Sequence, residues 1–194
     1  LINSFEYFCL VNSIIRLFDC YVRFNFHVGL AVVALTRVTA FNFNVSLSFL
    51  FYATVFCIAF LGYNFIKFFS LYLENRFNKS KFFPFLFPSI IIALIVIFIG
   101  LSSFTYAALG LVFLAGILVL LYSIPLSKKR KNFRALRGLK IHLVALAWLI
   151  ITFYLPLVFS ETVDLDNLIF LTLQRYVFVL VATLPFEIRD LNSD

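Results

Sequence analysis

Six apolar runs of nearly membrane-crossing length, near residues 26–43, 46–70, 86–102, 106–126, 139–158 and 168–186, follow one another along this chain. A helix of about 20 residues crosses the ~30 Å hydrocarbon core of a bilayer. Inside that core the backbone can satisfy its N–H and C=O groups only as a helix or a closed barrel. Barrel strands would read as alternating segments of about ten residues, and the chain has no such alternation. The runs therefore predict an all-α, polytopic bundle of six transmembrane helices. A mean hydropathy of +1.05, with 63% hydrophobic and 13% charged residues, lies outside the usual range of water-soluble domains. Residues 25–194 are expected to form one membrane domain. Residues 1–24 mix Phe5, Phe8, Leu10, Ile14, Leu17 and Phe18 with Glu6, Arg16, Asp19 and Arg23, the pattern of a helix lying in the interface.

Charge placement gives this bundle an orientation. Arg76, Lys79 and Lys81 follow the second run, and Lys128, Lys129, Arg130, Lys131, Arg134, Arg137 and Lys140 lie between the fourth and fifth. The third and fourth runs are joined through Ser102 and Ser103, and the fifth and sixth through Glu161, Asp164 and Asp166, with no Lys or Arg in either connection. Positive loops stay in the cytoplasm, so the amino terminus and the ends of runs two, four and six are expected there, in a bacterial inner membrane. The 128–140 cluster sets topology and can touch anionic headgroups. It is one short loop and not a folded basic face, which argues against nucleic-acid binding.

Several chemistries find no support in the sequence. Cys9, Cys20 and Cys57 are scattered through apolar stretches and read as packing residues. His27 and His142 are isolated, so a histidine metal site is not expected. Glycine-rich phosphate loops and GxSxG elbows are missing. With no Met in the chain, the expectation is that the natural protein starts earlier, and that further helices follow Asp194.

The clearest chemical signal is acidic. Glu187, Asp190 and Asp194 stand at i, i+3 and i+7 after the sixth run, which puts them on one helical face. Carboxylates gathered where a membrane helix meets water can hold Mg²⁺, and Mg²⁺ can hold a diphosphate. At the same expected end lie Tyr122-Ser123-Ile124-Pro125, the basic loop, and Gly138-Leu139-Lys140 leading to Trp148, a residue that reads, like Tyr122, as an interfacial aromatic.

In order and spacing these features resemble the UbiA superfamily of integral-membrane prenyltransferases. The resemblance rests on the YSxP segment with its downstream basic residues (Tyr122, Ser123, Pro125, Lys140) and on a DxxDxxxD-type acidic motif (Glu187, Asp190, Asp194). It implies a nine-helix bundle around a lipid-open cavity. There, Mg²⁺ joins two acidic motifs to the diphosphate of a polyprenyl donor, and a lipophilic, often aromatic acceptor attacks the allylic cation left behind. Carried over to this chain, the resemblance makes Glu187, Asp190 and Asp194 the metal ligands and sets Asn64 and Lys67 towards the diphosphate, with Tyr122, Arg137 and Lys140 near it. The family's first acidic motif, NDxxDxxxD, is replaced here. Asn64 fits its Asn, but Phe65, Phe68 and Tyr72 stand where the acids would be, and Lys67 adds a positive charge.

Two readings stay open within the family: a prenyltransferase with altered chemistry, or a non-catalytic protein that keeps the fold to bind an isoprenoid. A transporter would instead use Arg37, Gln174 and Arg175 to line a path, although paired Gly/Pro breaks of the kind that mark transporter sites are missing. For Arg175 the plainer reading is a bond to a neighbouring helix or a side chain snorkelling outward.

Overall fold

The computed structural model describes residues 18, 21–22, 24–73, 79–123, 133–160 and 167–191, with side chains over 18, 21–22, 24–69, 87–123, 141–160 and 167–184. Over these residues the chain is all-helical. The helices are α1 (Phe26–Asn42), α2 (Phe49–Leu73), α3 (Lys79–Leu101), α4 (Tyr106–Ser123), α5 (Phe133–Leu149) and α6 (Leu168–Leu191). Helix α5 runs on through a π-helical turn, Ile150–Tyr154, into a last α-turn, Leu155–Leu157. Each expected apolar run is thus a helix. The helices outrun the apolar pattern where polar residues extend them: α3 begins at Lys79, α5 at Phe133, and α6 continues through Pro185 to Leu191. The interfacial helix expected over residues 1–24 lies largely outside the described residues.

Local chemistry sets the ends. Ser48 Oγ accepts from the Phe51 amide at 3.2 Å and Thr105 Oγ1 from the Ala108 amide at 3.3 Å, so each hydroxyl caps the first turn of its helix. Helix α1 ends with Asn44 in the left-handed region (φ 52°) and a Val45 amide returning to the Ala40 carbonyl at 2.8 Å, a Schellman ending with Asn in glycine's place. Ser102 and Ser103 donate to the carbonyls of Ile99 and Gly100, both at 2.7 Å, which satisfies the end of α3 at its tight turn into α4.

Among the described residues, two segments, Phe49–Phe69 and Tyr106–Ser123, are long and apolar enough to cross a membrane. The apolar stretches Phe26–Asn42, Phe87–Leu101, Ile141–Leu157 and Leu168–Leu184 are shorter. Large apolar side chains nonetheless face outward on all of these helices. Phe49 is 87% exposed, Phe98 80% and Ile169 83%, a surface that water-soluble monomers seldom carry.

Side-chain contacts fix the directions. Asn25 meets Asn64 and Gly29 meets Phe56, so α1 runs against α2. Gly100 meets Thr54, so α3 also opposes α2. Phe51 stacks with Phe104 at 5.4 Å, and Gly62 faces Val119, so α4 runs with α2. Tyr154 bonds Thr172 and His142 bonds Tyr176, so α6 opposes α5. The helices therefore alternate up and down. The carboxyl ends of α2, α4 and α6 and the amino ends of α3 and α5 gather at one end of the molecule.

The π-helical turn has an identifiable cause. Pro156 has no N–H to offer Thr152, its i−4 residue, and a proline ring crowds that carbonyl in a regular helix. The freed Thr152 carbonyl accepts from Thr39 Oγ1 of α1 at 2.7 Å. A backbone group orphaned within α5 thus becomes a tie between helices.

Candidate functional site

Helices α2, α4 and α5 line a half-open cavity of about 200 Å³, which Val32 of α1 also borders. Helix α2 presents Ile58, Ala59, Gly62, Tyr63 and Ile66, residues that recur at helical spacing on one face. Across from them stand Ala115, Gly116, Val119 and Tyr122 of α4 and Val144, Ala147, Trp148 and Ile151 at the α5 end. Small residues make the space. A Cβ added at Gly62 would find its nearest neighbour, Val119 Cγ2, only at 4.0 Å, and one at Gly116 would meet nothing within 4 Å.

The lining is apolar apart from a few polar tips. Trp148 Nε1 donates to the Tyr63 hydroxyl at 2.8 Å, the two rings standing edge to face with centroids 6.2 Å apart. Tyr63 is left with its own hydroxyl proton to donate. A buried indole and phenol normally find such partners. Pairing them across the cavity gives it two perpendicular aromatic faces, of the kind that attract a cation. Trp148 therefore belongs to the interior wall and not to an interfacial belt, and Tyr63 is a wall residue that sequence reasoning did not single out. The available signal was the chain's one Trp within an apolar span, a donor that requires an acceptor nearby.

Of the residues expected at the site, Tyr122 lines the cavity at the carboxyl end of α4. Lys67 lies one turn beyond Tyr63, about 6 Å further along α2, and is half-buried. Arg137 and Lys140 fall on α5 just before the lining residues Leu143 and Val144. Glu187 and Asp190 lie on the last two turns of α6. By helix direction all of these positions are at the same end of the molecule. The side chains of Arg137, Lys140, Glu187 and Asp190, and Asp194 altogether, lie outside the described residues. Asn64 sits apart from the lining. Its amide donates to the Phe24 carbonyl at 2.9 Å and the Phe60 carbonyl at 2.8 Å, and its oxygen accepts from Asn25 at 3.4 Å. Fully buried, it ties the start of α1 to α2.

Of the three positions where the resemblance would expect acids, two hold packed rings, and the side chain of the third, Tyr72, lies outside the described residues. Phe68 joins the cluster of Phe24, Cys57, Phe60 and Ala93, while Phe65 stacks on Phe69 at 5.4 Å. On the described part of this face α2 carries no carboxylate, and Glu187 and Asp190, at i and i+3 on α6, are residues of the oxygen-donor type that Mg²⁺ takes. Among the described residues no group of His, Cys, Asp and Glu gathers for a metal, and all nine carboxylates fall outside the described side chains. Cys57 is buried in the same cluster as Phe68, the packing role expected of it.

Arg175 is tied to a neighbouring helix, as the plainer reading of it expects. Its guanidinium donates to the Leu35 carbonyl and to Thr39 Oγ1, both at 3.0 Å. Arg37 faces outward over the Tyr52 ring at 5.7 Å. The chain matches no protein-family model, no curated protein and no solved structure.

Proposed function

We propose that this chain is a six-span, UbiA-type protein of the bacterial inner membrane, amino terminus in the cytoplasm, that takes the tail of an allylic polyprenyl diphosphate into the α2/α4/α5 cavity and transfers it to a lipophilic or aromatic acceptor. One observation carries this reading. The cavity's aromatic wall, Tyr63, Trp148 and Tyr122, lies towards the end of the molecule where Lys67, Arg137, Lys140 and the acidic end of α6 converge in the chain's topology. Exposed Phe and Ile on the outer helix faces support the membrane reading.

The chemistry follows from that placement. The allylic C–O bond breaks, its electron pair leaves with the diphosphate, and the cation so formed is attacked by acceptor carbon, which then loses a proton. Mg²⁺ held by Glu187, Asp190 and Asp194 would neutralise the leaving charge. Lys67, Arg137 and Lys140 add positive charge at the diphosphate, and the Tyr63 and Trp148 faces favour the cation. The small residues give the tail its room, and the apolar lining excludes water that would otherwise quench the cation.

A second reading, isoprenoid binding without transfer, is favoured by Phe65 and Phe68, which leave α2 without the acids of the first motif. Full-length protein in nanodiscs, given Mg²⁺ and farnesyl diphosphate, separates the two. Diphosphate release that falls by about a hundredfold or more in Asp190→Ala supports transfer. Farnesyl diphosphate retained without release supports binding alone. Neither retention nor release would overturn both readings.

A further inference from the structure

Helix α6 is tied to the bundle along one face. Thr172 bonds Tyr154, Tyr176 bonds His142, Arg175 donates to the Leu35 carbonyl and to Thr39, and Val179 is buried. These contacts fix the rotation of the helix. Successive residues lie about 100° apart around it, so with Arg175 held against α1 its neighbour Gln174 turns outward, and Gln174 is exposed. Phe170, Val177, Val181 and Leu184 are exposed on the same side. With Gln174 they follow one another at steps of four, three, four and three residues, the spacing of a seam along which two helices interdigitate. Gln174 lies close to the middle of the apolar stretch Leu168–Leu184. Hydrocarbon offers an amide neither donor nor acceptor, which makes that position costly, and amide side chains of membrane helices bond across helix interfaces.

We propose that α6 pairs with α6 of a second copy of this chain, giving a parallel homodimer in which Gln174 bonds the partner's Gln174. The bilayer and the amide together select this occupant. Copies inserted in one orientation are related by a two-fold axis along the membrane normal, and an isologous contact sets a residue near that axis against its own counterpart. A carboxamide is its own complement, because its nitrogen donates and its oxygen accepts, so the two side chains can exchange two hydrogen bonds. Phe170 on one side of the amide and Val177, Val181 and Leu184 on the other supply the apolar contacts of the seam. The amide fixes the register, as a single polar residue does in a coiled coil. None of these five residues lines the isoprenoid cavity, and the pairing rests only on the membrane part of the function proposed above.

The test uses full-length protein carrying a donor or an acceptor fluorophore at its amino terminus, mixed in liposomes of phosphatidylcholine and phosphatidylglycerol and diluted with added lipid. Energy transfer in the wild type should fall on dilution as a monomer–dimer equilibrium. Gln174→Leu should shift that equilibrium towards monomer by about three- to thirtyfold. Leucine on an outward face leaves the inner contacts of α6 in place, so this variant should melt like the wild type. Gln174→Asn keeps an amide and should recover part of the pairing. Adding Ala182→Gln to Gln174→Leu places the amide on the exposed flank beyond the seam and should recover none. A wild type that stays monomeric at every dilution overturns the proposal and leaves the seam to lipid or to a different protein. Pairing equal in wild type and Gln174→Leu also overturns it, as does recovery through Ala182→Gln, since the amide would then act without a seam. A chain that leaves the liposome for water refutes the membrane reading itself, whereas one that stays as a monomer refutes only the dimer.

Discussion

Helix α2 has two faces that use glycine in opposite ways. Against α3 and α1, glycine lets a neighbour come close: a Cβ on Gly100 would sit 1.8 Å from Thr54 Oγ1, and one on Gly29 would sit 2.7 Å from the Phe56 ring. Against α4, Gly62 and Gly116 border open space. Close approach through small residues is how membrane helices gain packing when lipid offers no hydrophobic contrast. Small residues that no neighbour fills make no such contribution to stability, and here they line the cavity that accounts for the proposed ligand. One helix thus holds the bundle together on one side and leaves room on the other.

The largest expected effect tests the sealed face. Gly100→Ala forces a new methyl into Thr54 Oγ1 and within 2.8 Å of Thr54 Cβ. Rotating the hydroxyl away cannot relieve the second contact, so α2 and α3 must separate. Overpacking of this kind costs roughly 1–3 kcal/mol or more. The midpoint of thermal unfolding in detergent should fall clearly, and Thr54→Ala in the same chain should restore only part of it, because its Cβ remains. An unchanged midpoint would mean that the α2/α3 seam is looser than its geometry, and the contrast between the two faces would fail.

A smaller effect belongs to the cavity wall. Tyr63→Phe removes the acceptor of the Trp148 indole and leaves that N–H without a partner, at a cost of about 1–3 kcal/mol. If the open face serves a ligand, retention of farnesyl diphosphate should drop further than stability does. Equal losses in the two would make the Tyr63 and Trp148 pair a packing device, no different in kind from the sealed face.

How much of this was legible in the sequence depends on which residues carry it. The six helices follow from apolar runs, and their alternation agrees with the placement of Lys and Arg. Helix ends were less legible: Lys79 and Phe133 are helical although no apolar pattern reaches them. The π-helical turn was hidden, since Pro156 announces a lost hydrogen bond but not that Thr39, more than a hundred residues earlier, replaces it. Asn64 had the residue type of a ligand-facing group, yet its bonds to Phe24 and Asn25 depend on where α1 begins. Tyr63 and Trp148 could be found only from the third dimension, because 85 residues separate them.

The smallest expected effect is the most direct comparison of the two faces. Gly116→Ala is the same chemical change as Gly100→Ala, made where the new methyl meets nothing within 4 Å. No clash offsets the gain in helix propensity, which for glycine to alanine is at most about 1 kcal/mol. Stability should therefore hold or rise slightly, while a methyl on this exposed residue bordering the cavity should trim ligand retention only modestly. Enlarging the same side chain separates the two roles of this position. Gly116→Phe should crowd the cavity that this residue borders and sharply lower farnesyl diphosphate retention while the helices remain assembled, because its first side-chain atom meets nothing within 4 Å. If Gly116→Ala destabilised the protein as Gly100→Ala does, the cavity would have to be closed under solution conditions, and α2 would have two sealed faces.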